Sequence, residues 1–288
     1  MPDERLMRAV SARAALRHPS VLVGPREYVF VLGHMRSYSS VLCHVLGSHP
    51  EISGYGEMRL AYGRPRDLVR LRARVARSLG TAPKGRLVLD KILHNPYDVS
   101  LRILDGAAQI NPIFLVRRPA ETLPSILRMA KRLGYEEWTG VEGAAAYYAD
   151  RLAGLERLGG FCRHALVLRA EEIITDTTAT LDAIARLLDL GEPLRSQYST
   201  FPETGVAGRG DYTDALRSGE ILQLEPEAAP QPIPTDVLAE AELAYARCMT
   251  TLTGAFGEAF TSARREPGGD LVEPALFDGA SAGRTAPL

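Results

Sequence analysis

Between Gly33 and Ser40 the chain reads GHMRSYSS, placing three serine hydroxyls and one arginine directly after a glycine. The apolar run EYVFVLG (27–33) precedes this stretch, and SSVLCHVLG (39–47), with helical apolar spacing, follows it. A strand, a glycine turn and a helix start bring backbone N–H groups and the positive end of a helix dipole onto one point, which suits a phosphate or a sulfate. Ser37, Ser39 and Ser40 add hydroxyl donors, and Arg36 adds a fixed charge with several donors. Against the phosphate-loop pattern GxxxxGK[ST], Gly33 and Ser40 fit, but Tyr38 replaces the second glycine and Ser39 the lysine. Magnesium-dependent triphosphate chemistry is disfavoured. The competing reading is that the serines only cap a helix.

A second anion-binding pattern lies in NPIFLVRRPAETLPSIL (111–127). Arg117 ends a strand, and Ser125, eight residues on, falls about two turns into the next helix, so both can meet one anion if that helix folds back along the sheet. Two such elements at neighbouring strand ends call for a ligand with two separated anionic groups. The alternative pairs Arg117 with an acid and leaves Ser125 on the helix surface.

Alternation of short apolar runs with helical stretches gives the elements that must position these residues. Strands are expected at 27–33, 51–57, 86–92, 111–118 and 164–173, and helices at 39–50, 65–79, 97–107, 120–133, 141–158, 177–190 and 235–253. The pattern is α/β: a parallel sheet covered on both faces, with ligands in the crevice beyond the carboxyl ends of its strands. Gly33 to Ser40, Glu57, Asp90 to His94 and Arg117 to Ser125 all fall there. In this reading residues 1–26 are a helical or flexible lead, 27–262 one domain and 263–288 a disordered tail.

The totals bound the partners. A formal charge of −1 gives no global pull toward nucleic acid, and no run approaches the ~20 apolar residues of a membrane span. Cys43, Cys162 and Cys248 are odd in number and lack a CxxC pair, which argues against a disulfide framework or structural zinc and points to a reducing, cytoplasmic setting. The stretch 59–77 carries seven arginines, Arg66, Arg70 and Arg74 on one helical face, either solvated or forming a basic wall for an acidic acceptor.

VFVLGHMRSYSSVL, PIFLVRRPAETLPSIL and HALVLRAEEIITDTTATLDAIARLLDL together resemble the sulfotransferases that use 3′-phosphoadenosine 5′-phosphosulfate (PAPS), over residues 27–190. The chain looks like a bacterial member nearest in motifs to the Golgi-type, tyrosylprotein sulfotransferase branch. The resemblance implies a 5′-phosphosulfate loop at Gly33, Arg36, Ser37, Tyr38, Ser39 and Ser40, a 3′-phosphate site at Arg117 and Ser125, and a closing segment at Gly208, Arg209 and Gly210. It implies PAPS as sulfuryl donor, a hydroxyl or amine of a small molecule or carbohydrate as acceptor, and no metal.

HPEISGYGEMR (49–59) resembles the family stretch that carries a catalytic glutamate, which puts Glu57 in the role of base. His94 is the rival, because the cytosolic branch uses a histidine after a lysine on this strand, though the spacing from Lys91 is one residue longer here. Lys91 and Arg36 are assigned to the leaving oxygen, where a cation opposes the developing charge. Lys91 can instead pair with Asp90 or Glu57, His34 shapes the loop, and Tyr147 and Tyr148 line an acceptor pocket or pack in the core. A phosphate-loop small-molecule kinase and a non-catalytic adenosine-bisphosphate binder are the competing functions.

Overall fold

Five apolar runs become the parallel strands β1 (Glu27–Gly33), β2 (Ile52–Ser53), β3 (Leu87–Ile92), β4 (Gln109–Val116) and β5 (Leu166–Arg169), in the order β2-β3-β1-β4-β5. The computed structural model describes residues 27–104, 109–206, 213–223 and 232–256. The expected lead, the expected tail and the Gly208 to Gly210 segment lie outside them. The helices in chain order are α1 (Ser39–Gly47), α2 (Pro65–Leu79), α3 (Leu101–Leu104), α4 (Pro119–Leu133), α5 (Val141–Gly159), α6 (Glu172–Thr175), α7 (Thr177–Leu187), α8 (Asp214–Arg217) and α9 (Thr235–Phe256). This is the α/β arrangement expected from the sequence.

Successive strand side chains point to opposite faces, and the two faces feed two apolar cores. Phe30, Leu32, Val88 and Ile92 pack with α2, α4, α5 and α9. Val29, Val31, Leu87 and Leu89 pack with α1 and α7. The same alternation sends Asp90 to the first face and Lys91 to the second. Register sets Leu32 beside Ile92 and Gly33 beside Leu115, so β3, β1 and β4 end at one level and open a shared crevice.

Three expected elements differ: the strand expected at 164–173 is only Leu166–Arg169, and the last residues of that span begin α6. The strand expected at 51–57 is only Ile52–Ser53, because Gly54 turns out of it at φ 111°, with room for no side chain: a Cβ there would stand 2.7 Å from the Leu89 carbonyl oxygen. The helix expected at 97–107 is replaced by a single 3-10 turn at Asn95–Tyr97 followed by α3. Residues 98–100 are drawn into extended pairing with Tyr62, whose N–H donates to Asp98 O and whose carbonyl accepts from Ser100 N–H, and that removes them from any helix.

Candidate functional site

The loop after β1 adopts an alternating backbone in which Arg36 (φ 63°) and Tyr38 (φ 57°) are left-handed on either side of Ser37. Alternation of this kind folds successive N–H groups into an anion-binding concavity. Non-glycine residues held there store roughly 1–3 kcal/mol of strain each, an outlier typical of ligand-gripping turns. Tyr38 is the N-cap of α1, and its side chain makes no capping bond; Ser37 Oγ donates to His34 O at 2.7 Å. No serine therefore occupies the N-cap position of α1.

His34 is fully buried and joins the loop to β4. Its Nε2 accepts the Arg117 N–H at 3.0 Å, which leaves Nδ1 to donate to Met35 O at 2.9 Å. Burial pushes the imidazole down to about 4, so it is held neutral in that one tautomer.

The two anion-binding patterns meet directly. Arg36 Nε donates to Ser125 Oγ at 2.9 Å, and the Arg117 guanidinium donates to Arg36 O at 3.1 Å and to the Tyr38 hydroxyl at 2.7 Å. The Tyr38 ring lies under Arg117, 4.2 Å from centroid to guanidinium carbon, so the bulky residue at the glycine position of the phosphate-loop pattern is stacked on the neighbouring strand end. Arg117 Nε is buried without a hydrogen-bond partner among the described residues, and Glu121 Oε2 at 3.9 Å is too distant to satisfy it.

At the end of β3, Lys91 is buried and donates from Nζ to Ser40 Oγ at 3.1 Å, bringing its charge to the first turn of α1. Asp90, on the opposite face, accepts the Met58 N–H at 2.7 Å and the Lys91 N–H at 2.8 Å through Oδ1, and the Tyr62 hydroxyl through Oδ2. Desolvation raises its carboxyl to about 7 against the lowering effect of these bonds. Glu57 precedes the anchored Met58, and its Oε1 is buried with no hydrogen-bond partner among the described residues.

Glu57, Arg36 and His94 share the wall of a cavity of about 1130 Å³, with Met35, Trp138 and Tyr147. The His94 ring stacks on Trp138 at 6.0 Å, and burial pushes its imidazole below the ordinary value while Glu57 opposes the shift. Both rival bases thus face one space. The arginine face of α2 does not line it: Arg70 pairs with Asp67, and Arg74 donates to the carbonyls of Met58 and Arg59. Of the seven arginines in 59–77 Arg59 lines the cavity, while Arg70 and Arg74 take structural partners and Arg66 is exposed.

Helix α5 clasps the strand ends. The Tyr147 hydroxyl accepts from Met35 N–H and donates to Leu93 O, both at 2.9 Å, and Tyr148 donates to Arg117 O at 2.7 Å. Arg151, buried on the same helix, donates to Gly33 O at 2.8 Å, Ile92 O at 2.9 Å and Asn95 Oδ1 at 2.8 Å. One helix face thereby fixes the ends of β1, β3 and β4.

No family model matches the chain, and no curated protein matches it. Among solved structures, the sulfotransferase domain from the curacin biosynthetic pathway is similar over 76% of this chain and 96% of that one, with a TM-score of 0.50 and 17% identity. The fold is the sulfotransferase fold. The sulfotransferase domain from the Synechococcus PCC 7002 olefin synthase (77% of this chain, 95% of that chain, TM-score 0.48, 19% identity) also matches. So does retinol dehydratase in complex with retinol and PAP (81% of each chain, TM-score 0.35, 13% identity).

In this sulfotransferase fold, Arg36, Ser37, Tyr38, Ser39, Ser40, Lys91, Arg117 and Ser125 gather at one end of the sheet, with Glu57 and His94 on the adjoining cavity. Sequence reasoning missed Arg151 and Trp138. An arginine inside the buried stripe Tyr148, Leu152, Leu155 was the available signal for the first; the second had only its being the single tryptophan. Among the described residues no cluster of three or more His, Cys, Asp or Glu could hold a metal, and no helix is long and apolar enough to cross a membrane.

Proposed function

We propose that the protein transfers a sulfuryl group from PAPS to a hydroxyl or amine of a small-molecule or carbohydrate acceptor. The observation that carries this reading is the joining of two anion-binding elements through Arg36, which belongs to the first and hydrogen-bonds Ser125 of the second. The residues suit a nucleotide with anionic groups at two positions: the left-handed turn at 36 and 38 with Lys91 for one, Arg117 and Ser125 for the other.

When bound, PAPS supplies the sulfuryl group: the bond from sulfur to the bridging phosphate oxygen breaks, one from sulfur to the acceptor atom forms, and the acceptor loses a proton. Glu57 takes that proton. The residue lines the cavity, and its buried Oε1 has no competing donor among the described residues, a condition suited to a general base. Lys91 and Arg36 oppose the charge left on the bridging oxygen, and burial of the Lys91 ammonium strengthens that effect by excluding water. His94 and Trp138 form an aromatic wall against which an acceptor is oriented.

Calorimetric titration with 3′-phosphoadenosine 5′-phosphate (PAP) beside ATP plus Mg²⁺ tests the reading. PAP is expected to bind without metal and ATP weakly. A preference for ATP with Mg²⁺ would promote the kinase and overturn the proposal.

A further inference from the structure

Glu57 has an unusual support. Its Oε1 is buried and makes no hydrogen bond among the described residues, so the place of the carboxylate is fixed by the backbone on either side. Both flanking residues are tied to β3. The Gly56 carbonyl accepts the Lys91 N–H at 3.4 Å, and the Met58 N–H donates to Asp90 Oδ1 at 2.7 Å. The Lys91 N–H is shared with that same Oδ1 at 2.8 Å.

Asp90 therefore sits between the residue after Glu57 and the backbone of Lys91, on the face of the sheet away from the Lys91 ammonium. It is itself held from behind by Tyr62, which is fully buried and packs its ring 4.8 Å from Phe30. A buried carboxylate that accepts three hydrogen bonds, two of them from backbone amides beside proposed catalytic residues, does more than fill the core.

We propose that Asp90 is a positioning residue: by gripping the Met58 and Lys91 amides with one oxygen, it sets where Glu57 stands relative to Lys91. The inference rests on the transferase reading above for its catalytic consequence, but the grip itself is testable without it. Asp90→Ala removes the acceptor. Asp90→Asn keeps one carbonyl oxygen for the two amides and presents an NH₂ to the Tyr62 hydroxyl, which can rotate to accept it.

Hydrogen exchange of the peptide covering residues 54–60 is measured together with PAPS turnover, with 2-naphthol offered as probe acceptor and water as background acceptor. In Asp90→Ala the peptide exchanges faster and kcat falls about 10- to 100-fold, the scale of an ångström-size misplacement, while PAP affinity and the KM for 2-naphthol stay within about threefold. Asp90→Asn restores most of both. Unchanged exchange, unchanged kcat, or a loss of PAP binding in step with kcat would each overturn the positioning role. Should Asp90→Ala fail to fold, Tyr62→Phe, which deletes the bond to Oδ2 and keeps the ring, must loosen the same peptide; no change there also overturns it. Absence of PAP binding and PAPS turnover in the wild type would instead sink the transferase reading, and the exchange result would still decide whether Asp90 holds the turn.

Discussion

Replacing Arg151 by methionine removes a guanidinium that is 1% exposed and keeps a side chain of similar length. Three bonds of 2.8–2.9 Å are lost, to Gly33 O, Ile92 O and Asn95 Oδ1, which leaves two strand-end carbonyls without a donor that the fold had supplied. Each hydrogen bond from a charged donor contributes about 1.5–3 kcal/mol, but the variant no longer desolvates a cation, and that offsets part of the loss. Asp98, 3.5 Å away and 24% exposed, can turn to water once its partner is gone. The net expectation is a destabilisation of about 3–5 kcal/mol, the range for removing one partner of a buried charged pair. Urea unfolding monitored by circular dichroism would show it as a lowered midpoint at unchanged slope. In thermal unfolding the same change lowers Tm by roughly 6–20 °C for a domain of this size. A loss under about 1 kcal/mol would refute the reasoning, because the clasp on β1 and β3 would then be energetically neutral.

Glu57→Gln is expected to bind PAP within about twofold of wild type while PAPS-dependent transfer falls about 10²- to 10⁴-fold; equal rates would remove Glu57 from the chemistry. Arg117→Ala is expected to weaken PAP about 10- to 100-fold in calorimetry and to leave adenosine 5′-phosphosulfate, which lacks the 3′-phosphate, almost unaffected; Ser125→Ala should show the same selectivity more weakly. His34 is depressed to about 4 in the fold against 6.5 when unfolded, so below pH 6.5 the unfolded chain binds the extra proton. Its stabilising contribution is complete above pH 6.5 and is lost as pH falls through 4, by about 3 kcal/mol. The stability gap between wild type and His34→Gln, followed by urea midpoints across that window, should shrink toward acid; a gap independent of pH would show that His34 is not held neutral.

The sheet was legible in the sequence because each strand combines apolar content with a turn signal, and a parallel sheet buried on both faces leaves such runs nearly unbroken. The joining of Arg117 and Ser125 to the loop was legible for a related reason: a strand end and a helix running back along the sheet bring residues eight apart to one place. Asp90 and Lys91 could be assigned to opposite faces from strand alternation alone. What alternation does not encode is contact across elements. Arg151 reaches back over more than a hundred positions to Gly33, and nothing local distinguishes it from a solvated helix arginine except its place in an apolar stripe. The helix expected at 97–107 begins only at Leu101 for the same cause, since Tyr62, far upstream, takes residues 98–100 as pairing partners. Tyr38 reads as an obstacle to the loop until the Arg117 guanidinium is seen lying over its ring.

The α5 clasp has a consequence for how new acceptors could be accommodated. Tyr147 and Arg151 contribute to the cavity wall and, at the same time, fasten the scaffold that carries the loop after β1, so on the proposed transferase reading altering them to suit a different acceptor would disturb the donor side as well. Gly143 is equally constrained, because a side chain there would collide with the Glu137 carbonyl 2.2 Å away. Ala146 and Asp150 border the same space from the same helix, and neither side chain takes part in the fastening. Selectivity can drift at those two positions while the machinery behind them stays put.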